Sequence, residues 1–310
     1  MPMPHRTQMA LIKRRLTGKE GSERLRELRA VLEDLPDYKN GPYADIRKWV
    51  VNQIEATRAR ARVVQRDSIA VRREGAAQVA LVGPPNAGKS SLLHALSDVQ
   101  VKIGNYAFTT LRPVPALVRI GGVLVQFVEI PGLIEGAADG RGGGRALLGV
   151  LRGADVIVFC HEASSPVDAL LTVQREVNIS GIDRPALLAA TKADEASPGD
   201  IERLGRSAPG LPVVPVSIID DASLEALKEQ VWARTGLLRI YLRRDREVAE
   251  EPLAMPVGSS VHDVAGAIHK DLAVRFRYAR VWGASAQFEG QQVGRGHVVR
   301  EGDVVEVLNE

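Results

Sequence analysis

The sequence predicts an α/β fold: a mostly parallel sheet with helices on both faces, preceded by a helical hairpin and followed by a small α+β domain. Three observations carry this. From Gln78 onward, short apolar runs alternate with helix-periodic ones, the order expected of βαβ units. Before that point apolar residues recur at helical spacing. After a charged stretch near residue 241, strand-like pieces, turns and one helical piece follow in quick succession.

The elements follow in order. EGSERLRELRAVLEDL (residues 20–35) places Leu25, Leu28, Val31, Leu32 and Leu35 on one helical face. PDYKNGPY is a turn, punctuated by proline and glycine. A second helix starts near Asp45, with Ile46, Trp49, Val50 and Ile54 as its apolar stripe, and ends in the basic TRARARVVQR. Then come QVALVG, KSSLLHALSD, VLVQFVEI, DVIVFC, ALLAAT, PVVPVS and SLEALKEQVWARTG, strands and helices in turn. The expected domains are a basic helical hairpin (1–75), the sheet domain (76–240), a linker (241–251) and a small α+β domain (252–310).

Composition excludes several classes. Of 310 residues, 45% are apolar and 25% charged, as in an ordinary globular protein. MPMPHRTQMA lacks the apolar core of a signal peptide, and no run reaches the roughly 20 apolar residues of a membrane span. A single cysteine, Cys160, rules out an intrachain disulfide; it lies in the apolar run DVIVFC and is expected to be buried and inert. The expected location is the cytoplasm. Residues 1–75 carry 17 Lys+Arg against 10 Asp+Glu, while the remainder is net acidic. This basic head suits a polyanion such as RNA, or is a solvated arginine-rich surface. Nothing suggests sequence reading of DNA.

Gly83, Pro84, Pro85, Asn86, Ala87, Gly88, Lys89 and Ser90 fit G-x-x-x-x-G-K-[ST], with Ser91 next. The motif follows a predicted strand and opens a predicted helix, the context that makes it a phosphate cradle. Backbone N–H groups and the helix N-terminus would hold the β-phosphate. Lys89 would reach the β- and γ-phosphates, and Ser90 would turn its hydroxyl to Mg²⁺.

Thr191, Lys192 and Asp194 end another apolar strand as TKAD, about one hundred residues downstream. Asp194 can accept two hydrogen bonds from the N1–H and exocyclic amine of guanine. Adenine has no such donor pair, so the carboxylate would be left unpaired. Thr110, in NYAFTTLRP, is a candidate Mg²⁺ ligand in a loop ordered by the γ-phosphate. VEIPG supplies the Glu129 carboxylate for the Mg²⁺ shell and the Gly132 N–H as γ-phosphate sensor.

GPPNAGKSSL, NYAFTTL, IPGLIEGAADGRGGGR and TKAD together resemble the Obg-type GTPases, most nearly the developmentally regulated GTP-binding proteins. LLRIYLRR, SSVHDVAGAIHKDL, FRYARVWGASAQ and VGRGHVVREGDVVEV resemble their C-terminal TGS domain, a small β-grasp fold. The resemblance covers residues 78–310 and, more loosely, the hairpin. It implies a P-loop G domain, GTP and GDP as ligands, Mg²⁺, GTP hydrolysis and association with the ribosome. Lys89, Thr110, Gly132 and Asn86 would be the catalytic groups. Ser217 and Ile218 stand at the family's last guanine loop, where the Ile218 N–H would meet the guanine oxygen.

The departures are specific. Glu129 stands where the family has Asp, and is longer by about 1.5 Å. Thr191 replaces the usual Asn. About sixty residues separate Gly132 from Thr191, so the domain inserted there in the relatives is expected to be absent. Leu133 takes the place of the water-orienting Gln of Ras-like enzymes. Asn86 matches the P-loop asparagine that binds K⁺ in some GTPases lacking that Gln, or it simply shapes the turn. Arg141 and Arg145 are read as solvated loop arginines rather than a finger in cis, and His94, His161 and His269 receive no role. Two functions follow: a slow GTP-hydrolysing switch read by ribosome or RNA through the terminal domains, or a nucleotide-dependent binding module with little hydrolysis. The TGS-like unit, with 6 Lys+Arg against 8 Asp+Glu from residue 251, is not itself basic. A kinase or ATPase lacks a recognisable phosphoacceptor site.

Overall fold

The computed structural model describes residues 5–17, 19, 21–36, 41–66, 71–97, 112–131 and 144–309. The chain divides into two compact units, Met1–Ser68 and Ile69–Glu310.

The first unit holds α1 (His5–Leu16), α2 (Gly21–Asp34) and α3 (Pro42–Arg66). The expected hairpin is α2 and α3, and α1 is an addition to it. Leu28, Val31, Leu35, Ile46, Val50 and Ile54 are buried together, with Ile12 and Leu16 from α1 completing the core. Arg47 donates to the Leu32 and Leu35 carbonyls at 3.5 and 3.3 Å, satisfying acceptors that the end of α2 leaves open.

The second unit begins with β1 (Gln78–Val82), α4 (Lys89–Leu96), β2 (Val114–Ile120), β3 (Val123–Glu129), α5 (Gly144–Gly153), β4 (Val156–Glu162), α6 (Asp168–Ile179), β5 (Ala186–Thr191), α7 (Pro198–Ser207), β6 (Val213–Val216) and α8 (Asp221–Trp232). The sheet order is β2-β3-β1-β4-β5-β6, parallel except for the β2–β3 hairpin at one edge. Strand side chains alternate between faces. Val79 and Leu81 therefore join a core with Leu92, Leu96 and Leu227, whereas Ala80 and Val82 join one with Leu147, Leu151, Leu170 and Leu204. Burial on both faces is why these strands read as unbroken apolar runs. After β1 the chain crosses to one side of it, and after β3 to the other. Ligands of open parallel sheets sit at the carboxyl ends of the strands beside such a switch point. Cys160 is fully buried there, and burial pushes its thiol up to about 12.

The chain continues through β7 (Leu237–Arg244), β8 (Glu247–Val248), β9 (Leu253–Pro256), α9 (Val261–Ile268), α10 (Lys270–Val274), β10 (Phe276–Trp282), β11 (Gln291–Val293) and β12 (Val304–Asn309). These strands form a second sheet in the order β11-β10-β12-β7-β8, with β9 also on β7. One expectation is corrected here. Residues 237–244 are a central strand of this sheet, and 247–248 pair back onto it as a hairpin, so the stretch assigned to the end of the G domain and a linker belongs to the last domain. Leu238, Ile240 and Leu242 alternate inward to its core, so the strand is held by its own side chains.

Candidate functional site

β1 delivers the chain into a tight loop that only its glycines permit. A Cβ on Gly83 would lie 2.2 Å from the Cys160 carbonyl oxygen, and Gly88 has φ +76° with the Thr191 side chain against it. Asn86 is also left-handed, at φ 63°. Gly88 caps α4 without a side-chain hydrogen bond, so the cap is built from backbone alone, as an anion site at a helix N-terminus requires. Lys89 is buried and donates to the Gly83 carbonyl at 3.1 Å and the Pro84 carbonyl at 2.8 Å. Burial pulls its pKa below the ordinary lysine value.

Ser90 and Glu129 meet. The Ser90 hydroxyl donates to Glu129 Oε1 at 2.7 Å. Glu129 is in regular register with Leu81 of β1 and Val114 of β2, so the longer side chain is accommodated without a shift of the strand. Mg²⁺ takes oxygen ligands at 2.0–2.1 Å in octahedral geometry, which puts neighbouring ligands about 2.9 Å apart. A hydroxyl and a carboxylate oxygen at 2.7 Å fit two such positions. Thr110, Gly132, Leu133 and Arg141 lie outside the described residues, as does the side chain of Arg145.

The base-reading candidates gather at the ends of β5 and β6. Thr191 donates its hydroxyl to the Ala87 carbonyl at 3.0 Å, fastening this loop to the phosphate loop. Lys192 is left-handed at φ 53°, and Asp194 follows in a short 3₁₀ turn, Ala193–Glu195. Gly88, Ser91, Thr191, Lys192, Asp194 and Ile218 line one cavity of about 270 Å³. Ser217 is buried and its backbone N–H is engaged by Ser223 Oγ at 3.0 Å. Pro84, Pro85, Asn86 and Ala87 line a second cavity, of about 320 Å³, on the other side of the phosphate loop.

The sequence reading missed Glu162. It ends β4 opposite Thr191, and its Oε2 lies 2.9 Å from Lys192 Nζ. The signal was available: DVIVFCHE is an apolar run ending in a carboxylate, as VLVQFVE is. His161 is buried, with Nε2 3.4 Å from the Ser165 carbonyl and no partner on Nδ1 among the described residues. Burial lowers its pKa. No group of three or more His, Cys, Asp or Glu side chains among the described residues is placed to hold a metal. No helix among them is long and apolar enough to cross a membrane.

Comparison with known proteins converges on this arrangement. A family model described as a 50S ribosome-binding GTPase matches residues 78–192, and a TGS-domain model matches residues 238–309. A GTP-binding protein of Halobacterium salinarum is 33% identical over 316 residues, covering 77% of this chain and 85% of the relative. One from Methanocaldococcus jannaschii is 27% identical, covering 91% of this chain and 92% of the relative. Developmentally-regulated GTP-binding protein 2 of Homo sapiens is 26% identical, covering 77% and 85%. The Halobacterium alignment runs over 316 positions yet takes in only 77% of a 310-residue chain, so that relative carries stretches with no counterpart here. The chain belongs to the Obg-type GTPases of the developmentally regulated GTP-binding protein family, with a G domain followed by a C-terminal TGS domain.

Proposed function

We propose that this protein binds GTP and GDP with Mg²⁺, hydrolyses GTP slowly, and acts as a cytoplasmic switch read by the ribosome or RNA. The observation that carries the reading is the meeting of Ser90 and Glu129 at the mouth of the phosphate loop. Backbone N–H groups of residues 86–90 would cradle the β-phosphate, since Pro84 and Pro85 have none to give. Lys89, held by two carbonyls, would swing its ammonium over to donate to β- and γ-phosphate oxygens. Mg²⁺ supplies neutralisation of the charge developing on those oxygens. Ser90, Glu129 and Thr110 would hold the ion, and the Gly132 N–H would sense the γ-phosphate. Asp194 reads the guanine edge, with Thr191, Lys192, Ser217 and the Ile218 N–H around it. Asn86 would hold a K⁺ ion beside the phosphates.

Support for the partner is the description of the matching family model and the basic excess in residues 1–75. A polyanion contact of that kind weakens steeply with added salt. The second reading, a binding module with little hydrolysis, is favoured by Leu133 in place of a water-orienting glutamine. Single-turnover hydrolysis of GTP by the full chain, in K⁺ and in Na⁺, separates them. Phosphate release that Lys89→Ala abolishes supports the enzyme. Tight GTP binding without release supports the module, and equal rates in the two salts remove K⁺.

A further inference from the structure

Two cavities flank the phosphate loop, and one ion pair runs between them. Lys192 lines the base cavity, while Glu162 lines the cavity beside Pro84–Ala87. The Lys192 ammonium lies 2.9 Å from Glu162 Oε2, so the pair links a wall residue of one cavity to a wall residue of the other. The residue just before Lys192 is pinned twice. Thr191 Oγ1 donates to the Ala87 carbonyl, and the Ala163 N–H donates to the Thr191 carbonyl at 2.9 Å. What remains free is the lysine stem, and Glu162 fixes it.

We infer that Glu162 is a positioning residue of the nucleotide site: it holds Lys192 so that the lysine stem stands as a preformed wall of the base cavity. The inference rests on the reading of Thr191–Asp194 as the guanine loop. The pair is partly exposed, with 42% of the Lys192 side chain and 24% of the Glu162 side chain accessible. Ion pairs in such settings add little to folding stability, so stability is a poor explanation for it. Preorganisation is a better one. Lysine is among the side chains that lose most rotamer freedom when fixed. If Glu162 fixes it before the nucleotide arrives, that loss no longer opposes binding. The wall is blind to base identity, since a methylene stem offers no donor or acceptor. Specificity stays with Asp194, and Glu162 governs residence time.

The test measures GDP association, GDP dissociation and nucleotide-free unfolding temperature on the full chain, for the parent, Glu162→Ala, Lys192→Ala, the double variant and Glu162→Gln. Glu162→Ala is expected to speed GDP release roughly tenfold, with association little changed. Lys192→Ala is expected to do the same, and the double variant no more than either. Glu162→Gln, which keeps an acceptor for the ammonium, regains most of the loss. Nucleotide-free unfolding stays at the parent's temperature throughout. Release within twofold of the parent for Glu162→Ala, or single effects that multiply in the double variant, overturns the inference. A drop in nucleotide-free unfolding temperature that accounts for the change in release also overturns it, because the role is then structural. A parent that binds no GDP removes the guanine-loop reading itself, a result distinct from normal GDP binding that is indifferent to Glu162.

Discussion

The Ser90 hydroxyl donates to Glu129 Oε1 across 2.7 Å, joining the head of α4 to the end of β3. The parallel register of β1 and β3 makes this possible, because Glu129 lies opposite Leu81 and the phosphate loop leaves β1 two residues later. On the proposed reading this carboxylate would serve the Mg²⁺ that the serine hydroxyl also serves. Removing it with Glu129→Ala is expected to raise the Mg²⁺ concentration for half-maximal GTP turnover by roughly 10–100-fold. Glu129→Asp shortens the arm by about 1.5 Å, opening space for a water between carboxylate and ion, and is expected to raise kcat. A Mg²⁺ titration of turnover for the three proteins checks both statements.

On the proposed reading Asp194 sets the choice of base. An ionised carboxylate only accepts hydrogen bonds, whereas the Asn amide also donates. Guanine presents two donors to Asp194, while xanthine has a carbonyl where guanine has its amine. Asp194→Asn is therefore expected to weaken GDP binding by at least about 100-fold and to improve binding of xanthosine diphosphate. Competition between the two nucleotides on parent and variant reads the switch directly.

Gly83 is fixed by contact with the neighbouring strand. A Cβ at this position would stand 2.2 Å from the Cys160 carbonyl oxygen, and that oxygen belongs to the backbone of β4, which cannot swing aside. Gly83→Ala is expected to cost roughly 2–3 kcal/mol of stability by overpacking. Denaturant unfolding without nucleotide measures it. Unchanged stability would show that the loop and β4 separate more easily than their packing indicates.

His161 gives the G domain an acid-sensitive term. Burial holds its folded-state pKa below the ordinary 6.5, so the folded protein favours the neutral ring and the unfolded chain takes up the proton first. The sign follows from linkage: stability from this group is level above pH 6.5, falls as pH drops from 6.5 toward the folded value, and levels off below it. His161→Gln removes the titration. The parent is expected to lose more unfolding temperature than the variant between pH 7.5 and the acid side of 6, measured in parallel scans. Parallel losses in the two would remove His161 as the cause.

The parts legible in the sequence are those encoded by local spacing. Gly83, Gly88, Lys89 and Ser90 declare a phosphate loop because backbone strain and helix start fall at fixed offsets. The α2 and α3 stripes declare themselves through helical periodicity, and Leu28, Val31, Ile46 and Val50 are buried together as that periodicity demands. Glu162 ends its apolar run as Glu129 does, but its link to Lys192, thirty residues away, depends on the β4–β5 register. α1 was hidden because two residues, Ile12 and Leu16, carry nearly all its burial in a polar helix. β7 supports two readings in the sequence: LLRIYLRR resembles the TGS domain, yet Arg239 and Arg243 among its outward positions mask the inward alternation of Leu238, Ile240 and Leu242.

One of those arginines joins the two sheets. Arg239 Nη2 donates to Glu229 Oε2 of α8 at 2.7 Å, its guanidinium lies 4.8 Å from the Trp232 ring centroid, and it is also ion-paired with Glu301. The same side chain fills the space beside Gly121, where a Cβ would meet it at 2.3 Å, and a Cβ on Gly122 would meet Pro252 at 2.5 Å. The turn between β2 and β3 is thus packed against the TGS domain, while the other end of β3 carries Glu129. Arg119 reinforces the junction through Glu251 at 2.8 Å. Arg239→Ala leaves two carboxylates without their shared partner and a gap over Trp232. It is expected to cost roughly 2–3 kcal/mol, above an ordinary surface pair, because the arginine side chain is only 15% exposed. Calorimetry of the full chain measures the loss and reports whether the two sheets still melt together. A variant as stable as the parent would mean that the apolar contacts of Leu237 and Ala254 with the first sheet's core hold the junction by themselves.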